Sequence, residues 1–156
     1  MLSEPAPQNR ALRHAWIFLC LALALHVFDE ATTGFLGIYN PTVVALREQL
    51  GWWPMPTFRF GDWLTGLIVV CLILLALAGA VARGATGTRA LAYFFAILML
   101  FNAGGHTLAT IFGRTVASVT FPRPAPGFWS SPIMAAAAIY LLVQLRKSAR
   151  PKAHAG

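Results

Sequence analysis

The sequence predicts an all-α polytopic membrane protein: a four-transmembrane-helix bundle with a short interfacial helix in the first outer loop. Three observations lead there. The chain of 156 residues is 58% hydrophobic and only 11% charged, whereas an ordinary soluble domain has about 25% charged residues. Its mean hydropathy is +0.66. Its apolar residues gather in four long runs parted by short polar or proline-rich stretches. So few charges cannot also cover a soluble surface.

Residues 1–11 read as a polar cytoplasmic tail containing Pro5 and Pro7. The first span covers about residues 12–33. Arg10, Arg13 and His14 precede its apolar run, and with Ala22-Leu23-Ala24 they resemble a cleavable leader. Apolar character continues through residues 25–28, which favours a retained span. The next connection carries Asn40-Pro41, a helix-start signal, so residues 42–50 form the short interfacial helix and Gly51 ends it. Trp52, Trp53, Phe58, Phe60 and Trp63 then crowd together like an interfacial aromatic belt or the mouth of a ligand site. The second span is the cleanest, at about 62–82, and a turn with Gly84 and Gly87 leads to the third at about 88–113. In the connection after it, Pro122, Pro124 and Pro126 favour an extended path. The fourth span, about 129–145, completes a single domain over 12–146. A basic tail, 147–156, holds Lys152 and a solvated His154.

The net charge of +7 does not point to nucleic acid, because the basic residues form no single patch. They mark topology. Arg10, Arg13, Arg83, Arg89, Arg146, Lys147, Arg150 and Lys152 fall on one side of the spans, and Arg47, Arg59, Arg114 and Arg123 on the other. The bias places both termini in the cytoplasm of a plasma-membrane protein. Cys20 and Cys71 sit inside apolar runs and read as buried free thiols. No phosphate-cradling glycine loop, nucleophile elbow or dinucleotide fingerprint is present.

The chemistry lies in His26-Val27-Phe28-Asp29-Glu30. Ionisable groups inside a span are costly unless they face protein or a watery cavity. Yet the first span reaches full length only by including them. On a helix, Ala22, His26, Glu30 and Thr33 share a face, so the motif needs partners on another helix. The third span supplies them. Counted from expected inner ends at residues 12 and 88, His26 and Asn102 lie about 21 Å deep, and Glu30 and His106 about 27 Å deep. Asp62, near the outer end of the second span, falls close to that level. Gly104 and Gly105, which weaken a helix by about 1 kcal/mol each, point to a close backbone approach or local distortion there.

The order and spacing of His26-x-x-Asp29-Glu30, Asn102-x-x-x-His106 and Pro126-Gly127 resemble a family of small bacterial integral membrane proteins named for its HxxEE motif. Asp29 departs from it, standing where the motif has Glu. The resemblance implies a membrane protein with a His/acid site and supplies no reaction.

The residues leave several chemistries open. His26, Glu30 and His106 suit a divalent ion such as Zn, Mn or Fe, with Asn102 and Asp29 as further ligand, catalytic or supporting groups. The same residues serve metal-free acid–base chemistry, a proton or solute pathway, or interhelical polar bonding without chemistry. The apolar surroundings favour a lipid-like ligand, in the bilayer, with a homo-oligomer as one arrangement. A shared metal requires the His26 and His106 side chains to approach within about 5 Å.

Overall fold

The computed structural model describes residues 7–149. The tails at 1–6 and 150–156, with Arg150, Lys152 and His154, lie outside the described residues. Helix α1 runs from Pro7 to Thr33, beginning on a proline whose missing N–H costs nothing in a first turn. A turn at Gly34 leads into α2, Leu36–Leu50. After an irregular stretch come α3, Phe60–Ala76, and α4, Ala78–Arg83. Helix α5, Thr88–Phe112, returns the chain. A small antiparallel hairpin follows, β1 Arg114–Val116 with β2 Val119–Thr120, pairing Arg114 with Thr120 and Val116 with Val119. Helix α6, Ser131–Ala149, closes the bundle.

Among the described residues, three stretches are long and apolar enough to cross a membrane: 9–33, 60–83 (α3 with α4) and 88–112. They make this a helical, multi-pass membrane protein. Its surface agrees. Phe18, Leu21, Leu25 and Phe28 form an exposed stripe on α1, and Ile68, Leu72 and Ile73 lie exposed on α3, while His26 is wholly buried. Apolar outside and polar inside is what a hydrocarbon solvent selects.

Helix α6 falls short of the other three in apolar length. It carries Ala135, Ala136, Ala137 and Ala138 and ends in Arg146 and Lys147. Packing explains the composition. Helix α6 lies against both α1 and α5, burying Met134, Ala137, Ala138 and Leu141 completely. A helix face packed between two others needs small side chains more than large apolar ones. The core runs from Leu12, Ala15, Trp16 and Leu19 of α1 to Ala92 and Ala96 of α5 and Leu145 of α6. The Trp16 indole donates to the Leu74 carbonyl at 2.7 Å, one turn before α3 is interrupted at Leu77.

Several details differ from expectation. Helix α2 starts at Leu36 and runs through Pro41. Asn40 does not cap it. Its side-chain amide donates to the Phe58 carbonyl at 2.9 Å and accepts from the Phe58 N–H at 3.0 Å, tying α2 to the aromatic stretch. Part of the proline-rich connection pairs as the hairpin. Gly104 and Gly105 sit in an unbroken α5 with nothing within 4 Å of where a Cβ would be. Cys20 and Cys71, in contrast, are buried free thiols as expected.

The two ends of the bundle differ. Asn9, Arg83, Gly84, Thr88, Arg89 and Ser148 border one cleft, which defines a terminal end. Helix α2, the hairpin and residues 121–130 crown the other, the loop end.

A buried His-Glu-His cluster as candidate metal centre

The motif on α1 meets its partners on α5 pair by pair. His26 Nε2 lies 3.3 Å from Asn102 Nδ2, and Glu30 Oε1 lies 3.1 Å from His106 Nε2. His26 Nε2 is also 3.4 Å from Glu30 Oε1, one helical turn along. The imidazole centroids are 4.7 Å apart at 74°. His26, Glu30 and His106 are all buried, at 0%, 5% and 8% exposure. One ligand atom from each falls within 4.8 Å of the others, so the group could hold a metal ion.

The outer hydrogen bonds assign the tautomers. His106 Nδ1 lies 2.5 Å from the Pro126 carbonyl, an acceptor only, so Nδ1 carries hydrogen and donates. His26 Nδ1 lies 2.8 Å from Ser130 Oγ. The Ser130 hydroxyl has one hydrogen, and the Asp29 carboxylate at 2.8 Å is its strongest acceptor. Ser130 therefore donates to Asp29 and accepts from His26 Nδ1. With Nδ1 donating outward, each ring turns its Nε2 inward, and the Asn102 amide faces that of His26 at 3.3 Å. Two Nε2 atoms and a carboxylate oxygen converge, with the Asn102 amide meeting His26 Nε2 and Glu30 facing His106 Nε2. A positive charge between them, a proton or a metal cation, makes such a meeting favourable.

Asp29 stands beside this triad. Its Oδ2 accepts from the Ser130 N–H at 2.9 Å as well as from the hydroxyl. Ser130 immediately precedes α6, so a carboxylate from α1 sits at the helix N-terminus, where the dipole favours it. Asp29 thereby fixes α6 to α1 and fixes the His26 tautomer through Ser130. The shorter reach of Asp at this position suits that second role.

The loop after the hairpin covers the rings. Gly127 has φ +78, and a Cβ there would lie 2.8 Å from His106 Cε1 and 2.9 Å from His26 Cε1. The close backbone approach expected at Gly104 and Gly105 is made here instead. The Gly127 N–H donates to Thr33 Oγ1 at 3.3 Å, and Ser131 Oγ donates to the Gly127 carbonyl at 2.7 Å.

Sequence reasoning missed Ser130. A serine just before a helix reads as an ordinary cap, and nothing local marks it as the link between Asp29 and His26. Asp62 is exposed in the first turn of α3 and lines no part of the cluster. An acid there is stabilised by its own helix dipole and needs no partner in the bundle. His14 is exposed on α1, far along the helix from His26.

Two clefts flank the cluster, and Asn102 borders both. One, of about 260 Å³, lies under α2 and the hairpin and is lined by Phe35, Ile38, Phe121 and Pro126 together with His106. The ring of Phe35 lies tilted against His106 at 5.8 Å and against Trp63 at 5.8 Å, so the aromatic stretch reaches the cluster through Phe35. The other, of about 280 Å³, opens between α3 and α5. Compared with known families, curated proteins and solved structures, the chain matches none, and a multi-pass helical bundle holding a buried His-Glu-His cluster is what sequence and structure together establish.

Proposed function

We propose that His26, Glu30 and His106 bind a divalent transition metal, Zn, Mn or Fe(II), in a plasma-membrane protein that acts on or carries a lipid-like apolar molecule. One observation carries the reading: both imidazoles have their Nδ1–H engaged outside the cluster, leaving two Nε2 lone pairs facing one carboxylate oxygen at 3.1 and 3.4 Å. Ligand atoms held tetrahedrally at about 2.05 Å from an ion lie roughly 3.3 Å apart, which fits both separations. Carbonyl and Ser-carboxylate partners on the far ring nitrogens are the usual supports of metal-binding histidines. Two imidazoles and one carboxylate leave coordination positions open, and a metal there would polarise a bound oxygen. Asn102 borders the cluster on the side of both clefts and would orient that oxygen.

Around this centre, α6 serves as a fourth crossing and both termini face the cytoplasm, as the distribution of Arg and Lys requires. The combination of His26-x-x-Asp29-Glu30, Asn102-x-x-x-His106 and Pro126-Gly127 supports placing the chain with the HxxEE-motif proteins.

Elemental analysis of the protein purified in detergent tests the metal. Near-stoichiometric Zn, Mn or Fe is expected, falling below about a tenth in His26→Ala, His106→Ala and Glu30→Gln, each still monodisperse. Metal near zero in the native protein, unchanged by reloading with each ion, sinks the assignment. A second reading then takes over, favoured by the same 3.1 Å contact: a proton shared between His106 Nε2 and Glu30, with the pair acting as acid and base without metal.

A further inference from the structure

The cleft between α3 and α5 has a definite polarity. Along α5 it extends from Leu91 to Asn102, about 16 Å at the helical rise. Leu67, Val70, Phe94 and Leu98 form its walls, and the whole lining is apolar except at one place. The exception is the loop end, where His26, Glu30 and Asn102 meet it. Its walls belong to membrane-length helices, so a molecule reaches it sideways from the bilayer. Phe94 and Leu98 are exposed along this opening, at 64% and 45%.

We propose that this cleft binds the hydrocarbon chain of a single bilayer lipid whose small, neutral, oxygen-bearing end (a hydroxyl, aldehyde or ester carbonyl) lies against His26, Glu30 and Asn102. The proposal rests on the reading of the cluster as a centre for an apolar ligand, and it stands with either a metal or a shared proton there. Size selects the occupant. About 280 Å³ strung along that length is a volume on the scale of one hydrocarbon chain. A helix about 10 Å across fills roughly 1,200 Å³ over the same length, so a partner helix does not fit inside. Chemistry selects the head. The polar end is buried, with His26 wholly enclosed, so a bulky zwitterionic headgroup is excluded. While no metal is bound Glu30 disfavours an anionic head, and in either state the oxygen lone pair of a neutral head can accept from the Asn102 amide. The tail runs toward the terminal end and the head sits at the loop end, so the lipid enters from the leaflet on the loop side.

Photolabelling of the full chain in nanodiscs tests this, using hexadecanol with a mid-chain diazirine as the probe. Labelled positions should map to Leu67, Val70 and Leu98 and spare Ile73 and Ile97, which are exposed and lie outside the cleft. Leu98→Trp should fill the groove and reduce labelling about tenfold, while the neighbouring Ile97→Trp leaves it unchanged. Equal labelling of cleft and outward positions in the native protein overturns the proposal, whether or not Leu98→Trp folds. Metal content measured on the same samples separates the two readings. Cleft-specific labelling without metal keeps the lipid site and removes the metal, and metal with indiscriminate labelling does the reverse.

Discussion

Gly127 shows how one missing methyl group shapes the cluster. Its φ of +78 already disfavours any side chain, and a Cβ would press on both imidazoles at 2.8–2.9 Å. Gly127→Ala should lower stability by about 1–3 kcal/mol, read as thermal unfolding in detergent. It should also weaken metal binding more than that loss alone explains, because the rings must move. Ser130→Ala tests the supporting contacts. It removes the acceptor for His26 Nδ1–H and one of two donors to Asp29. Metal affinity should fall about 10–100-fold with all three ligands intact, measured by competition with a chelating dye. An unchanged affinity would mean Ser130 only caps α6. The cluster residues His26, Glu30 and His106 were legible in the sequence because ionisable groups within a span are conspicuous against an apolar background. Gly127 stood out only within the Pro126-Gly127 element of the resemblance, with no contact assigned to it, and Ser130 not at all, because a glycine or serine before a helix shows its role only when the loop folds back over the rings.

The outer elements act as a frame, and their ties are polar. Asn40 holds the aromatic stretch to α2 through a reciprocal pair of bonds with Phe58. Thr42 Oγ1 meets Thr115 Oγ1 of the hairpin, and Thr110 Oγ1 accepts from the Ala125 N–H at 3.0 Å. Asn40→Ala should free residues 52–59, speeding their backbone hydrogen exchange by about tenfold for a loss near 1.4 kcal/mol, while the metal content stays the same. The existence of a helix in this loop was readable from its apolar spacing. Its starting point was not. Asn40-Pro41 has the chemistry of a helix start, but proline is tolerated early in α2, and Asn40 makes its bonds across the loop where no sequence window can see them.

For the whole bundle, the arrangement of charge and apolar surface makes a topology prediction. Alkaline phosphatase fused after residue 55 should be active outside the cytoplasm, and the same reporter fused after residue 156 should be inactive. Activity at both positions would place the C-terminus outside, with the N-terminus still in the cytoplasm, and remove α6 as a crossing. Interior packing also depends on the Trp16 indole, which satisfies the Leu74 carbonyl near the interruption between α3 and α4. Trp16→Phe keeps an aromatic ring against Phe95 and leaves that carbonyl without its donor. A loss of about 1–3 kcal/mol is expected in thermal unfolding, against almost none for Trp52→Phe, which is 73% exposed.

The sequence by itself determined the solvent and the ingredients. Four apolar runs, few charges and a basic bias to one side require a helical membrane protein. Helical period and equal depth pair His26 with Asn102 and Glu30 with His106. Those are local and one-dimensional properties, set by the rise and turn of a helix. Only the tertiary structure decided what surrounds the ring nitrogens. It excluded Asp62, turned Asp29 toward Ser130 and brought Gly127 over both imidazoles. It also opened a groove beside the cluster. Those outcomes depend on where two irregular loops fold back and on how far α3 stands from α5. The reason is physical: a helix repeats its geometry from one residue to the next, whereas a loop takes its path from distant partners.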